Sequence, residues 1–337
     1  MSAERYLILT CMKNEGPFIL EWVAYHLSIG FDHILAYSND CEDGTDRILD
    51  RLEKLGHVTH RDNARLPHQR PAHQVRAYRK ARREECFISS DWVAVIDADE
   101  FINIHAGNRS IQALTAAAPD ARCISLTWRL FGSSDQTFFE DGFLTEKLLR
   151  AAPAYCPSPM QAWGMKSMHR TDAVELIGCH RPKRVPDADW HALNWVNGRG
   201  EKMPEHYHNG SWRMTKHTAG YDLGQINHYA LRTRENYLMK VARGRAYTPD
   251  MLGADYWHKM NRNEERDITI QPLLPEARAI YQTLLDDPVL HKLHLQSVDW
   301  HRSAIAQVRD TDAGRALMDA ITPTVELFGR DREAIPA

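Results

Sequence analysis

Asp91-Trp92-Val93-Ala94-Val95-Ile96-Asp97-Ala98-Asp99-Glu100-Phe101-Ile102-Asn103-Ile104 is the stretch whose reading decides the fold. Its apolar run, Trp92 to Ile96, is too short for an ordinary helix and reads as a buried strand. Three carboxylates follow within four positions: Asp97, Asp99 and Glu100. Like charges at the end of a buried strand repel one another and are costly to desolvate. A divalent cation would neutralise them and keep coordination sites free for a phosphate. At about 4 Å and an effective dielectric near 20, each pair of unit charges is worth roughly 4 kcal/mol. A solvated acidic turn is the plain alternative, and the neighbouring segments have to decide between the two.

Upstream, the chain alternates strand and helix. Tyr6 to Met12 is an apolar strand, broken by Lys13-Asn14-Glu15-Gly16-Pro17. Phe18 to Ile29 carries apolar residues at helical spacing and stops at Gly30. His33 to Ser38 is a second strand, and Asn39-Asp40 opens the polar turn after it. A helix capped by Asp43 or Thr45 places Ile48, Leu49, Leu52 and Leu55 on one face, and Val58 to His60 is a third strand. Arg61 to Pro71 is a loop, and Ala72 to Ser89 is a helix leading into the acidic stretch. Such alternation implies right-handed crossovers and a largely parallel sheet with helices on both faces. Ligands of these sheets bind outside the carboxyl ends of the strands. Lys13-Asn14-Glu15, Asn39-Asp40 and Asp97-Ala98-Asp99 all leave those ends, which lifts the acidic cluster above an incidental turn.

Downstream, Ile111 to Ala118 reads as a short helix and Cys123 to Leu130 as a strand. Met165 to Arg170, Glu175 to His180 and Ile226 to Tyr229 read as further strands. Arg234 to Arg243, Pro275 to Leu285, Ser297 to Arg309 and Ala313 to Ile321 read as helices. The 337 residues suffice for one large domain or two smaller ones, and the formal net charge of -3 gives no reason to expect a nucleic-acid partner. Six scattered cysteines without a Cys-x-x-Cys pair argue against structural zinc and for free thiols in a reducing compartment. No apolar run approaches a membrane span. The start lacks the apolar region and cleavage site of a signal peptide.

Several residues carry candidate chemistry. Lys13, Asn14 and Glu15 offer a charge and amide hydrogen bonds to a ligand, or simply form a polar helix start. Asn39 and Asp40 suit the N–H edge of a pyrimidine, or an ordinary turn. His228 is either an imidazole ligand to a metal or a satisfied core histidine. Trp128, in Trp128-Arg129-Leu130-Phe131-Gly132, can floor a sugar site, although strand aromatics are usually core. His180 sits at another strand end.

Taken together and in order, these motifs resemble the family 2-like glycosyltransferases of the GT-A fold. The resemblance rests on Lys13-Asn14-Glu15 with Glu21 to His26, Ser38-Asn39-Asp40 with Asp43-Gly44-Thr45, Asp97 to Phe101, Trp128 to Gly132, and Asn227-His228-Tyr229. It covers roughly residues 5 to 245. It implies an α/β, GT-A-like catalytic domain over 1–245, with a nucleotide-binding half (1–105) and an acceptor half (106–245), followed by a helical extension over 246–337. It implies a transferase that moves a sugar from a nucleotide-diphosphate donor, by analogy a UDP-sugar, to a hydroxyl of a glycan or lipid-linked acceptor, with inversion. Lys13, Asn14, Glu15, Asn39, Asp40 and Asp97 would hold the donor, and Asp97, Asp99 and His228 would hold Mn²⁺ or Mg²⁺. Trp128, Phe131, Gly132 and His180 would meet the sugar or acceptor.

An inverting transfer needs a base for the acceptor hydroxyl. The candidates are Asp135, Glu140 and Asp141, after the Trp128 strand, and Asp187 and Asp189 in a later loop, with Asp135, Asp187 and Asp189 put forward. The expected location is cytoplasmic, with peripheral contact at the inner face of a membrane as one use of the tail; packing on the catalytic domain and dimerisation are the others. A nucleotidyltransferase of related fold is an alternative, against which stands the lack of a Gly-rich basic loop after the first strand. A catalytically silent sugar-nucleotide or carbohydrate-binding protein is another.

Overall fold

The computed structural model describes residues 3–64, 73–156, 158–243 and 253–322. Its strands are β1 (Tyr6–Met12), β2 (His33–Ser38), β3 (Val58–Asp62), β4 (Trp92–Val95), β5 (Glu100–Ile104), β6 (Cys123–Leu130), β7 (Arg150–Ala151), β8 (Met165–Arg170), β9 (Trp195–Asn197), β10 (Gly224–His228) and β11 (Glu265–Arg266). Its helices are α1 (Gly16–Ser28), α2 (Thr45–Lys54), α3 (His73–Ala81), α4 (Glu85–Ile88), α5 (Ile111–Ala116), α6 (Leu144–Lys147), α7 (His206–Asn209), α8 (Arg234–Arg243), α9 (Ala254–Met260), α10 (Leu274–Leu285), α11 (Pro288–Arg309) and α12 (Asp312–Ile321).

Nine strands form the central sheet, in the order β3-β2-β1-β4-β8-β6-β10-β5 with β9 paired to β6. The first four neighbours are parallel, as the alternation predicts. The second half is mixed, because β8 runs antiparallel to both β4 and β6, while β10 runs parallel to β6. Apolar side chains fill both faces, in two core clusters on opposite sides of the sheet.

Glu100–Ile104 is a strand that the acidic stretch alone does not reveal. Its pairing is with β10, more than a hundred residues away, and it ends the sheet. Helix α1 closes that edge with side chains instead of a strand. Trp22 Nε1 donates to Glu100 O at 2.8 Å, and Tyr25 OH to Ile102 O at 2.9 Å. His26 Nε2 accepts from Ile102 N at 3.3 Å. An edge satisfied this way offers no template to another chain.

Three other expectations differ from the structure. The helix read over Ala72 to Ser89 is interrupted between α3 and α4, and only its residues from His73 on are described. Glu175 to His180 is not a strand, since Leu176 makes only an isolated bridge to Arg184. Helix α11 begins at Pro288, with Asp287 accepting from Leu290 N at 2.7 Å as its cap, nine residues before the reading placed it. The loop read over Arg61 to Pro71 lies mostly outside the described residues.

The described residues 253–322 pack on the rest. Helix α10 lies against α1, and α11 against α1, α2 and α8, while β11 pairs with β7. Gly16 permits the closest approach: a Cβ there would stand 2.0 Å from Ser297 Oγ of α11. Asp43, 2 % exposed, ties the same three elements together. It accepts from Gly16 N and Thr45 N, both at 2.9 Å, and its Oδ2 lies 2.9 Å from His301 Nε2. Burial alone would raise the Asp43 carboxyl, but His301 and the Thr45 hydrogen bonds outweigh it and hold it below its usual range.

Candidate active site

The carboxyl ends of β1, β2 and β4 share one edge, and β6 and β10 end at the same edge. Tyr229 N, just after β10, donates to Asp99 O at 2.9 Å, and Phe131 N donates to His228 O at 3.0 Å. The acidic cluster therefore lies where the sheet rule places a ligand.

Each carboxylate of the cluster has a protein cation. Lys166 of β8 reaches Asp97 Oδ2 at 2.7 Å and Glu100 Oε2 at 3.2 Å, with its side chain 1 % exposed. Lys240 of α8 reaches Asp99 Oδ2 at 3.0 Å. Gln74 Nε2 donates to the second oxygen of Asp97 at 3.1 Å. Burial would raise Asp99, but Lys240, His228 and Arg232 outweigh it and hold its carboxyl well below the usual range. Burial pushes Glu100 up to about 8, even with Lys166 beside it. Glu100 is structural: its Oε2 accepts from Asp97 N at 2.9 Å and meets Lys166, which fixes the turn that presents both aspartates.

The residues assigned to the donor divide into two groups. Lys13, Asn14 and Glu15 face a cavity together with Asp99, Arg232 and Lys240. Asn14 adopts φ 53° and accepts from Glu42 N at 2.9 Å through Oδ1, and Glu15 Oε2 pairs with Arg232 at 2.8 Å. Arg232 also lies 3.6 Å over the Phe18 ring. Asn39 and Asp40 stand apart from this cavity. Asn39 Nδ2 donates to Asp40 Oδ2 at 3.1 Å, and Asp40 lies 3.6 Å from His73 Nε2.

On the other flank an aromatic group gathers residues far apart in sequence. The Trp128 ring is 4.3 Å from His228 and 5.5 Å from His180, and His180 stacks on Trp212 at 4.7 Å. Burial lowers both imidazoles, His228 to about 4 and His180 to about 3, so both rings are neutral at pH 7. His228 Nε2 stands 3.8 Å from Asp99 Oδ1, and its buried Nδ1 has no hydrogen-bond partner.

Among the described residues no three of His, Cys, Asp and Glu come together as a metal cage. Asp97, with both oxygens engaged by Lys166 and Gln74, does not complete a triad with Asp99 and His228. Asp99 Oδ1 and the neutral His228 form a two-donor corner. Mg²⁺-type cations are commonly held by one or two carboxylates plus substrate phosphates, so the corner fits such an ion without forming its full shell.

Other assigned residues lie elsewhere. Phe131 is 1 % exposed and packs on Tyr229 at 4.6 Å, so it is a core ring. Gly132 is pressed against the segment after α9: a Cβ there would come within 2.5 Å of Arg262 O. Asp135 is exposed in the turn after β6, at the edge that carries the acidic cluster, with φ 60°. Asp187 and Asp189 are at the opposite edge. They precede β9, whose Trp195 pairs with Cys123 at the start of β6, and Leu193 O accepts from Arg122 N at 3.1 Å. At about 3.3 Å per residue, the eight residues of β6 separate them from the site by roughly 20 Å. Asp189 serves its own turn, accepting from His191 N and Ala192 N at 3.1 Å.

Lys166, Arg232, Lys240 and Gln74 are the residues that sequence reasoning missed. A single lysine in a strand and single cations near a helix carry no pattern; only Arg232, with φ 59°, marks itself by an uncommon backbone conformation.

Paired carboxylates, basic side chains and aromatic rings thus gather on the ligand-binding edge of an α/β sheet. A model of glycosyltransferase family 92 matches residues 8–241, and the chain belongs to that family. The family differs from the family 2-like group that the motifs resemble, and both are glycosyltransferases. A glycosyltransferase family 92 protein of Oryza sativa subsp. japonica is 28% identical over 221 residues, 64% of this chain and 35% of its own length. One of Ricinus communis is 29% identical over 104 residues, 30% of this chain and 17% of its own. The chain thus spans about a third or less of the curated relatives it matches. The crystal structure of S. aureus TarS 1-349 is 11% identical and aligns over 90% of this chain and 91% of its own, with a TM-score of 0.34, too low to bear on fold or chemistry. No helix among the described residues is long and apolar enough to cross a membrane.

Proposed function

We propose that the protein transfers a sugar from a nucleotide-diphosphate donor, a UDP-sugar by the motif resemblance, to a hydroxyl of a glycan or lipid-linked acceptor, on a GT-A-like domain. The observation that carries this reading is the convergence of Lys13-Asn14-Glu15 and Asp99 with Arg232 and Lys240 at one strand edge. In a glycosyl transfer, negative charge builds on the departing diphosphate, and fixed cations placed there stabilise it in the transition state. Arg232 and Lys240 are the side chains in position to do so. Trp128 and His180 give the sugar an aromatic face on the other flank. A Mn²⁺ or Mg²⁺ ion on Asp99 and His228 would add positive charge at the same diphosphate. The acceptor base is assigned to Asp135, since of the carboxylates after β6 Glu140 pairs with Lys147 and Asp141 with His294, with inversion as the expected outcome.

A second reading has its own observation. Lys166 and Lys240 already compensate Asp97 and Asp99, and burial keeps Glu100 protonated, so the repulsion that called for a divalent ion is met by the chain. Donor binding without metal follows from it. A thermal-shift screen of nucleotide-diphosphate sugars, with Mn²⁺ and with EDTA, tests both. Stabilisation only with Mn²⁺ supports the metal-dependent transferase, and stabilisation equal in EDTA supports the lysine-compensated site. If no donor stabilises the protein under either condition, the transferase reading is abandoned. Asp135→Asn should lower transfer by roughly 10²-fold while leaving donor binding intact; an unchanged rate removes Asp135 from the mechanism.

A further inference from the structure

The cavity that holds the strand-end residues has a roof that lies outside the family match. Its volume is about 400 Å³, within the range of roughly 300–1,000 Å³ usual for small-molecule sites. Lys13, Asn14, Glu15 and Asp99 form one side. Arg232 and Lys240 bring positive charge, and Arg232 is 8 % exposed with its Nε unpartnered. The opposite wall is α11, through Trp300, Ala304 and Val308, with Met239 of α8 beside them. One end therefore carries charges of both signs, Arg232 paired with Glu15 and Lys240 with Asp99, and the other is aromatic and aliphatic.

Helix α11 is held in place as a wall. Asp43 binds His301 of α11 and the backbone N–H of Gly16, at the start of α1, two residues after Asn14. Ser297 fills the space that Gly16 leaves open. Arg309, near the helix end, pairs with Glu235 of α8 at 3.1 Å, and Arg51 Nε pairs with Asp287 at 2.9 Å. Ties at both ends and the middle leave the face between Trp300 and Val308 turned toward the strand ends.

We infer that α11 is the outer wall of the donor pocket, so that a nucleoside diphosphate binds between Arg232 and Lys240 at its diphosphate end and Trp300 and Ala304 at its base end. The inference rests on the donor-binding reading above and extends it to a helix that the family match does not include. A base offers a flat apolar face to an indole, and a diphosphate offers charge to the two cations.

The test is the thermal shift of the full chain with UDP, GDP, dTDP and ADP in the presence of Mn²⁺. At least one should stabilise the wild type. Ala304→Trp fills the cavity and should weaken that nucleotide at least about tenfold, with the ligand-free melting temperature close to the wild type. Trp300→Ala should weaken it roughly tenfold through lost stacking, which keeps the question open to measurement if Ala304→Trp does not fold. Gln307→Glu, on the exposed rim, should weaken it by about threefold, and less at high salt. Unchanged affinity in Ala304→Trp, or in Trp300→Ala where the first variant is unfolded, overturns the wall assignment alone. No stabilisation of the wild type by any of the four overturns the donor-binding reading and this inference together.

Discussion

The chain contains the tripeptide Asp-Ala-Asp twice, at 97–99 and at 187–189, and the two copies have opposite fates. The first ends a buried strand at the ligand edge of the sheet, each carboxylate within 3.0 Å of a lysine. The second is an exposed turn at the far end of β6, with Asp187 at φ 52° and Ala188 at φ 56°. Composition is identical, so the difference belongs to position. A buried strand delivers the first copy to an edge where α8 and β8 supply cations. The second follows Val185-Pro186, and its side chains serve solvent and their own turn. A short acidic motif thus acquires chemistry from the element before it and from the charges that long-range pairing brings opposite.

The sharpest way to break the first environment is to remove the cation beneath it. Lys166→Met takes the buried cation away from the half-buried Asp97 and the buried Glu100. Removing one partner of a buried ion pair typically costs about 3–5 kcal/mol. Urea denaturation should show a loss of that size; a loss under about 1 kcal/mol would mean that Lys166 is not what holds the turn. Asp99→Ala comes next and acts on function. Transfer is expected to fall about 10²–10³-fold with the fold retained, and steady-state rates on a donor identified by the screen would show it. A near-normal rate would deprive Asp99 of any part in the chemistry.

Glu100 gives a smaller effect with a defined sign. Its folded-state carboxyl keeps its proton up to about pH 8, whereas the ordinary value is 4.5. Between these values the folded state binds more protons than the unfolded state, so this group makes stability fall as pH rises through the window and levels off above it. Glu100→Gln removes the titration. Denaturation midpoints at pH 5 and pH 8 should differ less in the variant than in the wild type; equal differences would place the pH dependence elsewhere.

Much of the central sheet is legible in sequence because its strands are buried on both faces. Tyr6–Met12, His33–Ser38 and Cys123–Leu130 are near-continuous apolar or small-residue runs, and their bounds coincide with the structure. The edge follows from alternation alone, so Lys13, Asn14, Asp40 and Asp97 could be placed at strand ends. Charge compensation was not legible. Lys166 sits in Met165-Lys166-Ser167-Met168, where a lone lysine reads as the solvent-facing side of a strand; it is among the most buried side chains. Helix α11 was half legible. His291, Lys292 and His294 dilute its apolar pattern, although Asp287 before Pro288 is an N-cap signal that marks its true start. That Asp187 and Asp189 lie at the opposite edge was not legible, because spacing does not say which edge of a sheet a loop occupies; that depends on β8 running antiparallel and β9 pairing at the start of β6.

The smallest effect is the one the comparison depends on most. If place decides, the double variant Asp187→Ala, Asp189→Ala should leave transfer within about twofold of the wild type. It should cost only about 0.5–1 kcal/mol, since it deletes exposed carboxylates and the two hydrogen bonds that Asp189 makes to its own turn. The same double substitution at Asp97 and Asp99 should abolish transfer. Measuring both pairs side by side holds composition constant and varies only location. Comparable losses of transfer from the two pairs would mean that the far turn reaches the chemistry by a route the fold does not provide, and the assignment of the active edge would have to be redrawn around β9.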